Sequence, residues 1–502
     1  MSETARERET IHRVATSRVS CHTRFRCPGE AFGVIGKCAA ISGTVFGRRR
    51  AVPGSVLLGP PRTGLAGLVC STRRPADGRE TEVPGLTYLS GSDAVTDRHG
   101  GGTIIDTTVN RAPSVSGEES ERIRRFLDHE RPATPCLAVD LAVVRNRYSR
   151  LRAELPEARI CYAVKANPEP RVVAELVRLG ASFDVASPGE IELCLRQGAP
   201  AGRISYGNTI KKPGDIARAH QRGVGLFATD STADLENIAA AAPGSAVFCR
   251  VAVDNTGSRT PFGRKFGCTP ADAVRLLRRA RDLGLVPYGV SFHIGSQQLA
   301  AEAWEHGIAA AAEAMRDPAM PAEGVRMINL GGGLPATYTQ PTPGLHEYTE
   351  VIESALRRHF GDQRPEVLLE PGRHLVGDAG VLRSEVVLVS ADSAGEGRWV
   401  YLDAGRYNGL AETEGEAITY RLRTSRDGDP LGPVVLAGPT CDGDDVLYQR
   451  SGYELPTTLC GGDTIDLLSA GAYTASYSSV CFNGFEPLST RCFDSAETTE
   501  RA

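Results

Sequence analysis

The sequence predicts a (β/α)8 barrel of the TIM type followed by a mainly β domain. Three observations carry this. From Thr134 onward, eight short apolar runs recur about twenty residues apart, and helical patterns punctuated by Pro or Gly fill the intervals. After about residue 378 the helical periodicity gives way to apolar runs separated by Gly, Asp and Pro. An open doubly wound sheet is the competing arrangement, but no Gly-x-Gly-x-x-Gly follows the first strand.

In chain order, residues 1–112 are rich in Arg, Gly, Ser, Thr and Pro and lack sustained periodicity. They are read as disordered or as an over-extended start of the reading frame. A targeting peptide is the alternative, and Glu3, Glu7 and Glu9 sit badly with one. Ser116 to Asp128 reads as a helix with Ile123, Phe126 and Leu127 on one face and a capping box from Ser116 to Glu119. Residues 113–377 are assigned to the barrel, 378–495 to the β domain and 496–502 to a tail. Barrel strands are expected at 161–167, 183–187, 203–208, 224–230, 246–253, 289–295, 327–333 and 367–373. Helices are expected between them, for example at 170–180, 189–198, 214–222, 270–284 and 344–360. In the β domain, Val381–Val389, Arg398–Asp403, Val434–Ala437 and Thr464–Leu468 read as strands.

Composition bounds the function. A chain of 502 residues, 41% apolar and 24% charged, can bury a large core, and it has no run of 18 apolar residues to span a membrane. A net charge of −4 gives no reason to expect nucleic acid. The 13 cysteines show no Cys-x-x-Cys or Cys/His spacing, which argues against zinc or other metal sites and against a disulfide framework, and favours a reducing, cytoplasmic setting.

Four rim positions carry the chemistry. Lys165, in Tyr162-Ala163-Val164-Lys165-Ala166-Asn167-Pro168, is placed at the carboxyl end of the first strand, one of only five lysines in the chain. Burial there is expected to lower the amine's pKa and make it a nucleophile toward a carbonyl, whereas a lysine snorkelling to solvent is the plainer reading. His293 closes the sixth strand before Gly295-Ser296, where its ring would pack on a flat ligand; a hydrogen-bonded core histidine is the alternative. Gly331-Gly332-Gly333 ends the seventh strand and exposes backbone N–H groups suited to phosphate, although turns also need glycine. Glu370-Pro371-Gly372-Arg373 ends the eighth, read either as a rim ion pair or as Glu370 bonding a protonated ring nitrogen while Arg373 or the Gly372 N–H serves a phosphate. Together these are the requirements of pyridoxal 5′-phosphate.

The chain resembles the fold type III pyridoxal-phosphate decarboxylases, the ornithine decarboxylase-like family that shares its barrel with alanine racemase, and within it the bacterial branch. The resemblance runs from about Thr134 to Phe493. It rests on residues 162–167, Phe183-Asp184-Val185-Ala186-Ser187 with Glu190, Lys265-Phe266-Gly267, the His293 motif, Gly331–Gly333, Glu370–Arg373, Gly438-Pro439-Thr440-Cys441-Asp442 and Phe482-Asn483-Gly484-Phe485. It implies that Lys165 is the Schiff-base lysine, that His293 stacks on the ring and that Glu370 partners the pyridine nitrogen. Ser296, Gly332, Gly333, Gly372, Arg373 and Tyr473 would surround the phosphate, with Asp184, Glu190 and Arg250 behind. Cys441 would be the catalytic acid, and Asp442, Tyr407 and Glu416 the substrate contacts, with Cys441 and Asp442 reaching into the partner's site in a homodimer. The implied reaction is decarboxylation of L-ornithine or L-lysine to a diamine for polyamine biosynthesis. A decarboxylase of another amino acid (diaminopimelate, a D-amino acid or a carrier-tethered one), a racemase and a non-catalytic regulator are the alternatives; the Cys441 motif and Glu370 count against a racemase, and a kept Lys165, Glu370 and Cys441 against a regulator.

Overall fold

A computed structural model describes residues 117–321, 325–391 and 397–496. The expectations for residues 1–112, for the Ser116 cap and for the tail beyond residue 496 lie outside the described residues.

Eight parallel strands close into a barrel: β1 (Arg159–Ala163), β2 (Ser182–Val185), β3 (Ile204–Tyr206), β4 (Leu226–Thr229), β5 (Ala246–Arg250), β6 (Val286–Ser291), β7 (Met327–Asn329) and β8 (Glu366–Leu369). Closure comes from β8 pairing with β1, Leu368 opposite Arg159 and Leu369 opposite Ile160. Alternation sorts the side chains. Cys161, Leu226, Ala228, Phe248, Met327 and Leu368 form one small buried cluster, while Tyr162, Phe183 and Phe227 belong to the large one that includes the helices. Two residues on from Phe248, Met327 and Leu368, the same parity brings Arg250, Asn329 and Glu370 to the carboxyl-end mouth.

All five helices named above are present, as Pro170–Arg178, Pro188–Arg196, Pro213–Gln221, Pro270–Asp282 and Leu345–Phe360, and Leu141–Glu154, Thr232–Ala241 and Ala303–Met315 complete the outer ring. Four begin with proline, whose fixed φ and missing N–H suit the first helical position. Ser187 caps the Glu190 N–H at 3.3 Å and Thr269 that of Asp272 at 3.1 Å. The strands are shorter than their apolar runs at the carboxyl end. There each chain leaves the ladder after one or two further bonds, such as Leu330 N–H to the Leu368 carbonyl (2.9 Å), and turns to line the mouth.

The β domain is a nine-stranded sheet that includes Gly380–Ala391, Arg398–Leu402, Leu431–Ala437 and Thr464–Leu468. It also takes a strand from ahead of the barrel. Cys136–Asp140, all five residues buried, pairs antiparallel with Gly380–Ala391 and parallel with Ser489–Phe493. Helix Gly117–Glu130 packs against this strand through Ile123 and Leu127. Residues 117–140 therefore belong with the sheet, and the barrel begins later than the expected residue 113. Barrel and sheet meet at Gly377–Gly380 and Ala470–Tyr473: Gly471 N–H reaches the Gly377 carbonyl and Ala470 N–H the Gly380 carbonyl, both at 2.9 Å. A Cβ on Gly471 would overlap the Val376 carbonyl oxygen. Gly471→Ala is expected to cost roughly 1–3 kcal/mol of stability through overpacking, read as a lowered thermal midpoint. Gly202→Ala, with nothing within 4 Å of the added carbon, is expected to leave it unchanged.

Candidate active site

β1 stops at Ala163, whose N–H bonds the Pro371 carbonyl at 3.1 Å, and Val164–Ala166 forms a single 3-10 turn. Lys165 therefore stands on a turn rather than on the expected strand. The β domain grips that turn from the other side: Tyr473 N–H donates to the Ala166 carbonyl and Asn167 Nδ2 to the Gly471 carbonyl, each at 2.8 Å.

Lys165 Nζ lies 3.6 Å from Asp184 Oδ2. Burial pulls the amine's pKa down, but Asp184, Tyr473 and Glu370 outweigh it and raise Lys165 above the ordinary lysine range. The expectation of an amine neutralised by burial is thus corrected, because sequence alone does not show the carboxylates folded around it. Burial and then Glu370 push Asp184 well above the usual carboxylate range, against the pull of Lys165. Asp184 Oδ1 is buried without a hydrogen-bond partner, and a Cβ on Gly207 would overlap it.

Glu370 follows β8 directly. Its Oε1 accepts from Asn329 Nδ2 at 2.5 Å, and Asn329 Oδ1 accepts the Gly331 N–H at 2.9 Å. Asn329 was not singled out in the sequence; its place just ahead of the glycine run is the signal that marks it. Glu370 does not pair with Arg373. The guanidinium is instead held by Glu412, Tyr338 and Ser296.

His293 is half-buried at the cavity, and its Nδ1 accepts the Gly295 N–H at 3.1 Å, which puts the proton of the neutral ring on Nε2. Burial first, then the charges of Arg250 and Lys165, push its pKa well below the usual histidine range. Phe262 meets the ring edge-on at 4.6 Å, and Arg250 lies over Phe262 and Phe266 at 5.5 and 4.9 Å. A Cβ on Gly332 would sit 2.7 Å from the Glu370 carbonyl oxygen and 3.0 Å from His293 Nε2, so this backbone lies bare against the cavity.

One cavity of about 510 Å³ gathers Lys165, Asp184, Arg250, His293, Ser296, Gly332, Gly333, Glu370, Gly372, Arg373 and Tyr473. These residues fit pyridoxal phosphate: an amine, a flat neutral ring, a carboxylate fixed by Asn329, and a bare glycine backbone beside Arg373, Ser296 and the Tyr473 phenol. Four expected residues stand elsewhere. Cys441 is exposed, with Sγ 3.3 Å from Asn483 Oδ1. Asp442 caps the Asp444 N–H at 2.9 Å, and the Tyr407 ring packs on Phe482 at 4.6 Å. None of these three lines the cavity of their own chain. Glu416 is turned away from it. Gly415 and Glu416 take φ values of 60° and 58°, and the carboxylate accepts from the Gln449 and Arg450 N–H groups and from Ser451 Oγ. Glu412 and Glu414, on the same segment, face the cavity in its stead.

Comparison with known proteins agrees with this geometry. Residues 141–377 match the family model described as "Pyridoxal-dependent decarboxylase, pyridoxal binding domain". The lysine/ornithine decarboxylase of Selenomonas ruminantium is 33% identical over 366 residues, covering 73% of this chain and 91% of that protein. Among solved structures, the lysine/ornithine decarboxylase of Vibrio vulnificus complexed with cadaverine superposes with a TM-score of 0.67 at 31% identity, over 76% of this chain and all of that one. The structure of SrLDC in complex with pyridoxal phosphate and cadaverine gives a TM-score of 0.67 at 32% identity, over 76% and 96% of the two chains. The chain belongs to the fold type III pyridoxal-phosphate-dependent decarboxylases, in their ornithine/lysine decarboxylase-like family.

Proposed function

We propose that the enzyme removes the α-carboxylate of L-ornithine, L-lysine or both and releases a diamine for polyamine formation, as a cytoplasmic homodimer with shared sites. The observation that carries the substrate reading is Glu414. This exposed carboxylate lines the same cavity as Lys165, within 3.4 Å of Arg406, and suits the distal ammonium of a basic amino acid. It replaces Glu416 as the acidic contact from this segment, since the backbone turn spends Glu416 on residues 449–451. The substrates named for the similar Selenomonas and Vibrio proteins support the same class.

Pyridoxal phosphate, when bound, supplies a protonated pyridine ring that takes up the electron pair freed at Cα as the C–CO2 bond breaks. Glu370, oriented by Asn329, would hold a proton at that ring nitrogen and keep the ring a deep electron sink. An arginine in its place would leave the nitrogen bare, which is why this site favours decarboxylation over racemisation. Neutral His293 offers a flat face without adding charge. Lys165 would hold the cofactor through Nζ, and Asp184, 3.6 Å from that nitrogen, would balance its charge. Proton return to Cα is assigned to Cys441 and recognition of the distal ammonium also to Asp442, both from a second copy, since Cys441 is exposed and Asp442 half-buried on the β domain and neither lines its own cavity.

An amine-product assay over L- and D-ornithine, lysine, arginine and diaminopimelate is expected to give diamine from L-ornithine or L-lysine; product from one of the others alone would refute the assignment. Lys165→Ala and Cys441→Ala homodimers are each expected to be nearly inactive, and co-expression to restore about a quarter of wild-type activity, because half the chains form heterodimers with one intact site each. No recovery in proven heterodimers would rule out sharing. For Asp184→Asn the sign follows from the charges around Lys165. With the carboxylate gone, the amine's pKa falls, so the pH at which cofactor-stripped enzyme takes up pyridoxal phosphate is expected to move down by at least about one unit, followed by visible absorbance.

A further inference from the structure

Arg373 is buried to 3% exposure, and its five N–H donors can be assigned one by one. Nη1 donates to Tyr338 Oη and to Glu412 Oε2, both at 2.8 Å. Nη2 donates to Glu412 Oε1 at 2.6 Å and to Ser296 Oγ at 3.1 Å. Nε is buried with no partner in the chain. The Tyr473 ring lies 4.8 Å from the guanidinium carbon. Glu412 thus takes the end-on fork, the face that grips a carboxylate or phosphate in two parallel bonds. What remains is the Nε–H, on the side edge where Nη2 already donates to Ser296 Oγ. A desolvated N–H without an acceptor is rare in folded proteins and calls for one from outside the chain.

We propose that Glu412 is a positioning residue for the cofactor's phosphate. By clamping the end-on fork of Arg373 it leaves the unpaired Nε–H, with Ser296 Oγ held beside it on Nη2, for the phosphate oxygens. This rests on pyridoxal phosphate binding in the cavity described above. Two consequences separate it from a bare arginine–phosphate contact. The phosphate meets a guanidinium whose charge is already balanced, so the cradle selects by hydrogen-bond geometry more than by net charge. Glu412 also stands two residues before Glu414, so the clamp ties the phosphate end of the site to the segment that meets the substrate.

The test compares pyridoxal phosphate with pyridoxal, which lacks only the phosphate, by equilibrium titration of cofactor-stripped full-length protein followed by absorbance. Glu412→Ala is expected to weaken pyridoxal phosphate about tenfold or more while changing pyridoxal less than about twofold, with Glu412→Gln, which keeps one acceptor, in between. Equal losses for both ligands would make Glu412 merely structural and overturn the proposal. So would an unchanged affinity for pyridoxal phosphate, or a tighter one, which would mean that Glu412 competes with the phosphate for Arg373. If Glu412→Ala fails to fold, Glu412→Gln carries the comparison. Failure of the wild-type protein to bind pyridoxal phosphate would instead refute the reading of the site itself.

Discussion

The pairing of the last barrel strand with the first is the constraint on which the site depends. It seats Glu370-Pro371-Gly372 against the turn that carries Lys165, with Ala163 N–H on the Pro371 carbonyl. The approach is close enough that a Cβ on Gly372 would lie 2.8 Å from that of Ala166 and 3.2 Å from that of Ala163. Closure then forces cations and carboxylates into one desolvated mouth, where each must be matched. Lys165 is matched by Asp184, Glu370 by Asn329 and Arg373 by Glu412. Arg250 is spread over two aromatic faces, and His293 gives up its charge.

This matching separates two kinds of residue. Asp184 and Glu412 have no need to touch a substrate to matter, because they decide where a proton or a guanidinium edge points. Their partners show the asymmetry. Asp184 keeps an oxygen unsatisfied and Arg373 a nitrogen. Both orphans belong to residues that line the same cavity, which is the pattern of a site prepared for a ligand rather than packed for its own stability.

Much of this was legible in the sequence because periodicity survives folding. The eight apolar runs, the five named helices and the rim motifs stand where spacing put them, and the residues expected around the cofactor, Glu190 excepted, line one cavity. What was not legible depends on partners distant in the chain. Cys136–Asp140 is an apolar run like any barrel strand, and only its pairing with Gly380–Ala391 and Ser489–Phe493 gives it to the sheet. The raised pKa of Lys165 needs Asp184 and Glu370 in place. The choice between Glu414 and Glu416 hangs on Gly415, whose positive φ no motif announces. Glu412 lies between Tyr407 and Glu416, and nothing local tells that it reaches Arg373.

The sheet's interrupted path also has a consequence for the order of assembly. Its strand Cys136–Asp140 is synthesised before the barrel and its neighbour Ser489–Phe493 after it, so the barrel is threaded between two halves of one domain. Barrel contacts join strands near in sequence and form early, whereas this pairing must wait until almost the whole described chain has left the ribosome. Since Gly471 and Tyr473 brace the lysine turn, a nascent barrel has its strands before it has a finished cofactor pocket. A later part of the described chain is thus what makes the earlier barrel competent to hold its cofactor.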